Sequence, residues 1–329
     1  MKKHILRFTL LATALIFSQN AIAAPFEKKA KGPVKVFILA GQSNMEGQAV
    51  VDLTGKDYND GKGTLATLIK DPAKGALFKH LQDSKGNWAE LDDVWVRYQR
   101  ENSPLLAGPL KCGYSVYGDP HHFGAELQFG HVIGDAIDNQ VLLVKTAWGG
   151  KSLDVDFRPP SSGGTVGPYY TLMIAQIREA MEKIKTDFPA YDGKGCELAG
   201  FAWWHGWNDF CDEKMVKSYE KNMVNFINDV RKDLKSPQLP VVIAELTGPW
   251  LKDAKDLPEA AKSVRKAQED AAGNAKFKGT VLFVETRDFV RKPEDSPHPG
   301  HGHHEFGNAE TYFLVGDAMA KGMLKILPK

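Results

Sequence analysis

The sequence predicts a doubly wound α/β sheet, and three observations carry that prediction. Five apolar runs of strand length are spread between residues 34 and 286. They are continuous rather than alternating, as befits strands covered on both faces of a parallel sheet. Helical periodicities lie between them, and strands alternating with helices require right-handed crossovers that put helices on both sides of the sheet.

The elements follow in chain order. "MKKHILRF" is a basic lead, "TLLATALIF" is apolar but too short to span a bilayer, and "AIAA" offers small residues for cleavage. Residues 1–23 therefore read as a secretory signal cut after Ala23, and the expected location is periplasmic or secreted. There is no cysteine at the cleavage site to carry a lipid anchor. After the polar "PFEKKAKGP" comes the first strand, "VKVFILA" (34–40). Residues 49–120 are rich in Gly, Pro, Asp and Lys without sustained periodicity. That is far longer than the usual connection of about 4–6 residues. It is expected to be a loop-rich functional insertion wrapping the sheet, so one domain is expected over 34–327. Its aromatics, Trp88, Trp95, Tyr98, Tyr114 and Tyr117, suit local packing or a pocket wall.

Four further strands are expected at "VLLVKTAW" (141–148), "LAGFAWW" (198–204), "PVVIAEL" (240–246) and "TVLFVET" (280–286). The helices between and after them are marked by apolar residues three to four apart. Tyr170, Ile174, Ile177, Met181 and Ile184 form one stripe, and Tyr219, Met223, Phe226, Val230 and Leu234 a second. Val264, Ala267 and Ala271 form a weaker third, and Tyr312, Val315, Met319, Met323 and Ile326 the last.

Composition narrows the function. The 329 residues carry a formal net charge of +1, so no nucleic acid and no anionic membrane partner is expected. Three cysteines, Cys112, Cys196 and Cys211, cannot make a dense cystine framework. Without a CxxC spacing a structural zinc site is not expected.

Ligands of an open parallel sheet bind beyond the carboxyl ends of its strands. The first strand runs into "GQSNMEG" (41–47), where Ser43 is either a nucleophile or the cap of the next helix. Met45 stands where the Gly-x-Ser-x-Gly elbow would need its last glycine. The second strand ends in Gly149-Gly150, a turn able to offer a backbone N–H to an oxyanion. The third ends in "WWHGWNDF" (203–210), which places His205 at the sheet edge or in the core. Late in the chain four histidines, His298, His301, His303 and His304, fall within seven positions. They lack the carboxylate or cysteine partners of a metal set, so no metal is expected, and one of them is read as a general base for Ser43.

These motifs in this order resemble the SGNH (GDSL-like) hydrolase superfamily. "GQSNMEG", "TAWGGKSL", "FAWWHGWND" and "HHEFGNAETYFLVGDAM" look like its carbohydrate acetylesterase branch, related to sialate O-acetylesterase and acetylxylan esterases. The resemblance covers roughly residues 34–323. It implies a flavodoxin-like three-layer α/β/α sandwich with a five-stranded parallel sheet, and a serine esterase that needs no cofactor. The implied substrate is an O-acetylated carbohydrate, deacetylated through an acetyl-enzyme. Ser43 matches the nucleophile, and the N–H groups of Ser43 and Gly150 match oxyanion donors. The branch usually reads Trp-x-Gln-Gly-Glu-x-Asp at the third block. Its glutamine, an oxyanion ligand, is His205 here. His304, three residues before Gly307 and twelve before Gly316, matches the catalytic histidine. The aspartate usually found three residues before it is His301 here. Asp295 and Glu294 are the candidates for the orienting acid, with a Ser–His dyad as the other arrangement. The two departures also leave room for a catalytically weakened glycan-binding scaffold, and the acyl group for an esterase of non-carbohydrate esters.

Overall fold

The axis of the molecule is the first strand, whose side chains alternate between two cores. Val36, Ile38 and Ala40 enter one, Phe37 and Leu39 the other, which is why the run is unbroken in its apolarity. The computed structural model describes residues 32–251 and 254–328; the proposed signal at 1–23 lies outside them.

The sheet strands are β1 (Val34–Gly41), β2 (Leu91–Tyr98), β3 (Leu106–Leu110), β4 (Val141–Ala147), β5 (Cys196–Trp204), β6 (Val241–Ala244) and β7 (Val281–Val284). Their spatial order is β3-β2-β4-β1-β5-β6-β7. All neighbours are parallel except β2 and β3, which form an antiparallel edge. The main helices are α1 (Ser43–Glu46), α2 (Glu126–Ala136), α3 (Pro168–Glu182), α4 (Glu213–Asp233), α5 (Glu259–Ala272) and α6 (Ala309–Ile326). Tyr170, Met223, Phe226 and Val264 bring α3, α4 and α5 onto one face. Phe129, Ile133, Tyr312 and Met319 bring α2 and α6 onto the other. The result is an α/β/α sandwich.

The five expected strands are present, but the sheet has seven. The two extra strands, β2 and β3, come from residues 49–120, so that segment is not only loop. The run "VWVRY" was hidden by Arg97, a cation inside a buried strand. Its guanidinium is 3% exposed and paired with Asp187 at 2.7 Å, which makes burial tolerable. The edge strand "LAGPL" carries Gly108 and Pro109, both poor strand formers. Helix α2 had no clear periodic signal either, because Gly130 and Gly134 interrupt its apolar stripe. Among the described residues no helix is long and apolar enough to cross a membrane.

Candidate active site

Neighbours on the two sides of β1 are reached by chain running in opposite directions along the sheet, so the carboxyl end of β1 is a topological switch point. Gly41 closes that end with φ +156°. A Cβ there would lie 2.1 Å from the Trp204 carbonyl oxygen, so only glycine lets β1 approach β5 this closely. The chain then turns into α1, one turn long, with Ser43 as its first residue. The Gln42 side chain does not cap this turn. Its Oε1 instead accepts from the N–H groups of Gly206 (3.1 Å) and Trp207 (3.0 Å), tying the end of β5 to the serine turn. Among the described residues the Ser43 backbone N–H, at the start of α1, has no protein acceptor, and its hydroxyl makes no protein hydrogen bond.

The Gly149-Gly150 turn sits beside this serine. A Cβ on Gly149 would be 3.6 Å from that of Ser43 and 3.0 Å from a Glu46 carboxylate oxygen. Gly150 is exposed, has φ +71°, and its N–H has no acceptor among the described residues. The turn is anchored from below by Asp209, whose carboxylate accepts from the N–H groups of Leu153 (2.8 Å) and Asp154 (3.0 Å). Burial raises the Asp209 carboxyl to about 7.

His205 faces inward rather than over the sheet edge. Its Nε2 is 2.9 Å from the Lys151 carbonyl oxygen, and its Nδ1 is 3.2 Å from the Tyr219 hydroxyl. A carbonyl only accepts, so Nε2 carries the proton and Nδ1 takes the tyrosine O–H. Burial depresses this imidazole to about 3, which keeps it neutral. The single ring N–H is spent on Lys151, and none is left for an oxyanion. What the ring does hold is the backbone one residue beyond Gly150.

The histidine segment runs from Pro297 into α6. The His304 ring is half-buried, lies 4.1 Å from that of His303 and makes no protein hydrogen bond among the described residues. No hydrogen bond joins it to Ser43 in this structure; such contacts are often long or absent without substrate. Burial, reinforced by His303, His301 and His298, depresses the His304 imidazole to about 4. No carboxylate takes part. Glu294 and Asp295 sit on an exposed turn and make no hydrogen bond to the His304 ring. Their carbonyls are used instead: Asn59 donates to that of Glu294 at 3.0 Å, and Asn308 reaches that of Asp295 at 3.4 Å. Residues 59–63 of the insertion thus brace the segment, since the Gly63 carbonyl also accepts the Ala309 N–H at 2.9 Å. Among the described residues no group of three or more His, Cys, Asp or Glu is arranged to hold a metal. The three cysteines are free.

Two buried ionisable groups had no sequence signal of their own. Glu305 follows His304 and is fully buried. Its Oε1 accepts from Asn44 Nδ2 (3.1 Å), from the Gly248 N–H (2.9 Å) and from the Thr247 hydroxyl. Its Oε2 has no partner, and burial lifts the carboxyl to about 7. Asn44 also donates to the His303 carbonyl at 3.3 Å. Its Oδ1 accepts from Tyr312, whose hydroxyl also reaches the His304 carbonyl at 3.2 Å. Lys145, on β4, is the second. Its fully buried ammonium donates to the carbonyls of Glu46 and Tyr114 and to the Glu126 carboxylate at 2.8 Å. It therefore holds the carboxyl end of α1 from beneath, where a cation also suits the helix dipole. Glu46 is held on its other side by the Tyr98 hydroxyl at 3.0 Å.

The chain resembles known proteins in sequence and in fold. The chain is 24% identical over 221 residues to a probable carbohydrate esterase of Arabidopsis thaliana, covering 64% of this chain and 68% of that one. The crystal structure of the Arabidopsis protein superposes with a TM-score of 0.55 at 18% identity, covering 89% and 98% of the two chains. A carbohydrate acetylesterase of Xanthomonas citri superposes at 0.50 and 13% identity, over 88% of this chain and 56% of that one. The model of one family matches residues 33–325, nearly everything described above. Since that span takes in the serine turn, the glycine turn and the histidine segment together, the chain belongs to the carbohydrate esterase family described as sialic acid-specific acetylesterase.

Proposed function

We propose that this protein is an exported serine esterase that removes O-acetyl groups from a carbohydrate through an acetyl-enzyme. His304 takes the proton of the Ser43 hydroxyl, and the alkoxide attacks the acetyl carbonyl. The N–H groups of Ser43 and Gly150 hold the resulting oxyanion. The tetrahedral intermediate collapses as His304 returns the proton to the departing sugar oxygen. Water then attacks the acetyl carbonyl as it gives a proton to His304, and the second tetrahedral intermediate breaks its bond to Ser43 Oγ, which takes the proton back from His304 as acetate leaves. His304 works in this reading without a carboxylate behind it. Burial leaves it neutral, the form a general base needs, though a weaker base than a free imidazole, and Asn44 and Tyr312 fix the backbone at His303 and His304. This replaces Asp295 and Glu294 as orienting groups, and His205 as an oxyanion ligand, with backbone positioning.

The observation that carries the reading is the Asn44 side chain. It is next to Ser43 in sequence and is hydrogen-bonded to the backbone and carboxylate that flank His304. Export rests on residues 1–23. The test is labelling by a fluorophosphonate together with 4-nitrophenyl acetate hydrolysis, wild type against Ser43→Ala. Wild type is expected to label and turn over, and the variant to do neither. Full activity in Ser43→Ala, or an unreactive serine in wild type, overturns the mechanism.

A further inference from the structure

The Gly150 N–H must be aimed, yet nothing packs on Gly150 itself. No atom lies within 4 Å of where its Cβ would stand, and the residue is exposed with φ +71°. A glycine without packing contacts has a wide choice of conformation, so its N–H points where its neighbours direct it. On one side the Lys151 carbonyl is bound by the His205 ring at 2.9 Å. On the other the Trp148 N–H donates to the Gly41 carbonyl at 3.2 Å. Gly149 stands between Trp148 and Gly150, and the group that meets it is Glu46.

Glu46 is the last residue of α1, the turn that Ser43 begins. It is 6% exposed. A Cβ on Gly149 would lie 3.0 Å from its Oε2, while its Oε1 accepts from the Tyr98 hydroxyl at 3.0 Å. Its own carbonyl accepts from the Lys145 ammonium at 2.9 Å, so backbone and side chain are both fixed. Burial raises this carboxyl, and the Tyr98 hydroxyl, Lys145, Arg100 and the Gly149 N–H each favour its charged form.

A buried carboxylate costs stability that an apolar side chain of the same size would not. The packing of α1 therefore does not explain a glutamate here. An apolar residue could fill the space, but it could not accept the Gly149 N–H.

We propose that Glu46 is a positioning residue of the reaction. Its carboxylate clamps Gly149 to the serine turn and so directs the Gly150 N–H at the oxyanion, while the His205 ring holds Lys151 on the other side. This rests on the esterase reading.

The test uses the full-length mature enzyme and 4-nitrophenyl acetate. Glu46→Met keeps the volume and removes the acceptor, and the freed Tyr98 hydroxyl still has the Ala147 carbonyl at 3.4 Å. It is expected to lower kcat by about 10- to 100-fold with KM little changed. Glu46→Gln, which can still accept from Gly149, should recover most of that loss. In a Gly150→Ala background Glu46→Met should cost only about twofold, because the N–H it aims is already displaced. Tyr98→Phe, which frees one side of the carboxylate, should show the same loss of kcat in weaker form even if Glu46→Met does not fold. Wild-type kcat in Glu46→Met or, failing its folding, in Tyr98→Phe overturns the clamp. So does a Glu46→Gln as slow as Glu46→Met, or a full loss in the Gly150→Ala background.

Hydrogen exchange of the Gly149 amide needs no substrate and separates the two readings. Protection present in wild type and lost in Glu46→Met, in a protein that does not turn over, leaves the clamp standing and removes the esterase. An active wild type whose Gly149 amide exchanges equally fast in both proteins does the reverse.

Discussion

The Asn44 amide and the Glu305 carboxylate meet at 3.1 Å from positions 261 apart in the chain. One neighbours Ser43, the other His304, so this buried contact, with those of Asn44 to the His303 carbonyl and of Tyr312 to Asn44, ties the serine turn to the histidine segment. The cost is visible in the backbone. Glu305 and the next residue, Phe306, both have positive φ, at +51° and +56°, a conformation that disfavours bulky side chains. Donors from Asn44, Thr247 and Gly248 converge on one carboxylate oxygen and hold that strained turn in place.

Glu305→Ala should leave the Thr247 and Gly248 donors unpaired in a buried site, at about 1–3 kcal/mol for each group, and the Asn44 amide with only the His303 carbonyl. It is expected to lower the melting temperature and kcat together. Glu305→Gln keeps the accepting oxygen and should recover most of both. Equal loss in the two variants would mean that volume, not the hydrogen bonds, sets the geometry.

Glu305 also makes stability depend on pH. Burial lifts its carboxyl from 4.5 to about 7 in the folded protein. Below about pH 4.5 both folded and unfolded chains hold the proton, and nothing is lost. As pH rises through 7 the unfolded chain has already ionised while the folded one resists, so stability falls. Glu305→Gln removes this group, and its melting temperature should gain on that of wild type between pH 5 and 8. A gap that stays constant or narrows would contradict the buried carboxyl.

The pH profile of kcat/KM tests the histidine. A base must be neutral to accept a proton, and burial with neighbouring histidines depresses His304 to about 4. Activity should therefore persist well below the ordinary histidine range and fall as pH drops through about 4. An acid limb at 6.5 or above would show that a negative group reaches the ring in the working enzyme.

Gly150→Ala probes the oxyanion turn. Nothing lies within 4 Å of the added methyl, so no clash is expected, but φ +71° is strained by about 1–2 kcal/mol for alanine. The protein should fold, and the displaced N–H should cost on the order of 10²–10³ in kcat. Unchanged kcat in a folded variant would remove Gly150 from the site.

His205→Ala should act through the same turn. It removes the ring donor to the Lys151 carbonyl and the ring acceptor of the Tyr219 O–H and opens a cavity, for about 2–4 kcal/mol of stability. A measurable remnant of activity is expected, because the ring does not touch the oxyanion. His205→Gln, which can still donate to the Lys151 carbonyl, should recover part of the loss; no recovery would assign the effect to ring packing alone.

The order of strands and helices was legible because burial on both faces demands long apolar runs. The placement of Ser43, Gly150 and the histidine segment was legible too, since each follows a strand end or precedes the last helix. Strand β2 was not, because Arg97 inside it is tolerable only beside Asp187, which the chain reaches ninety residues later. The roles of His205 and Glu305 were equally hidden. A histidine can donate to an oxyanion or to a backbone carbonyl, and only the Lys151 carbonyl at 2.9 Å decides which. A glutamate letter reads as surface until Asn44, Thr247 and Gly248 are folded around it. Local pattern fixes which segments are buried, because periodicity is a property of neighbours in sequence. Which polar group meets which is decided by tertiary contact, because a hydrogen bond depends on distances the sequence does not contain.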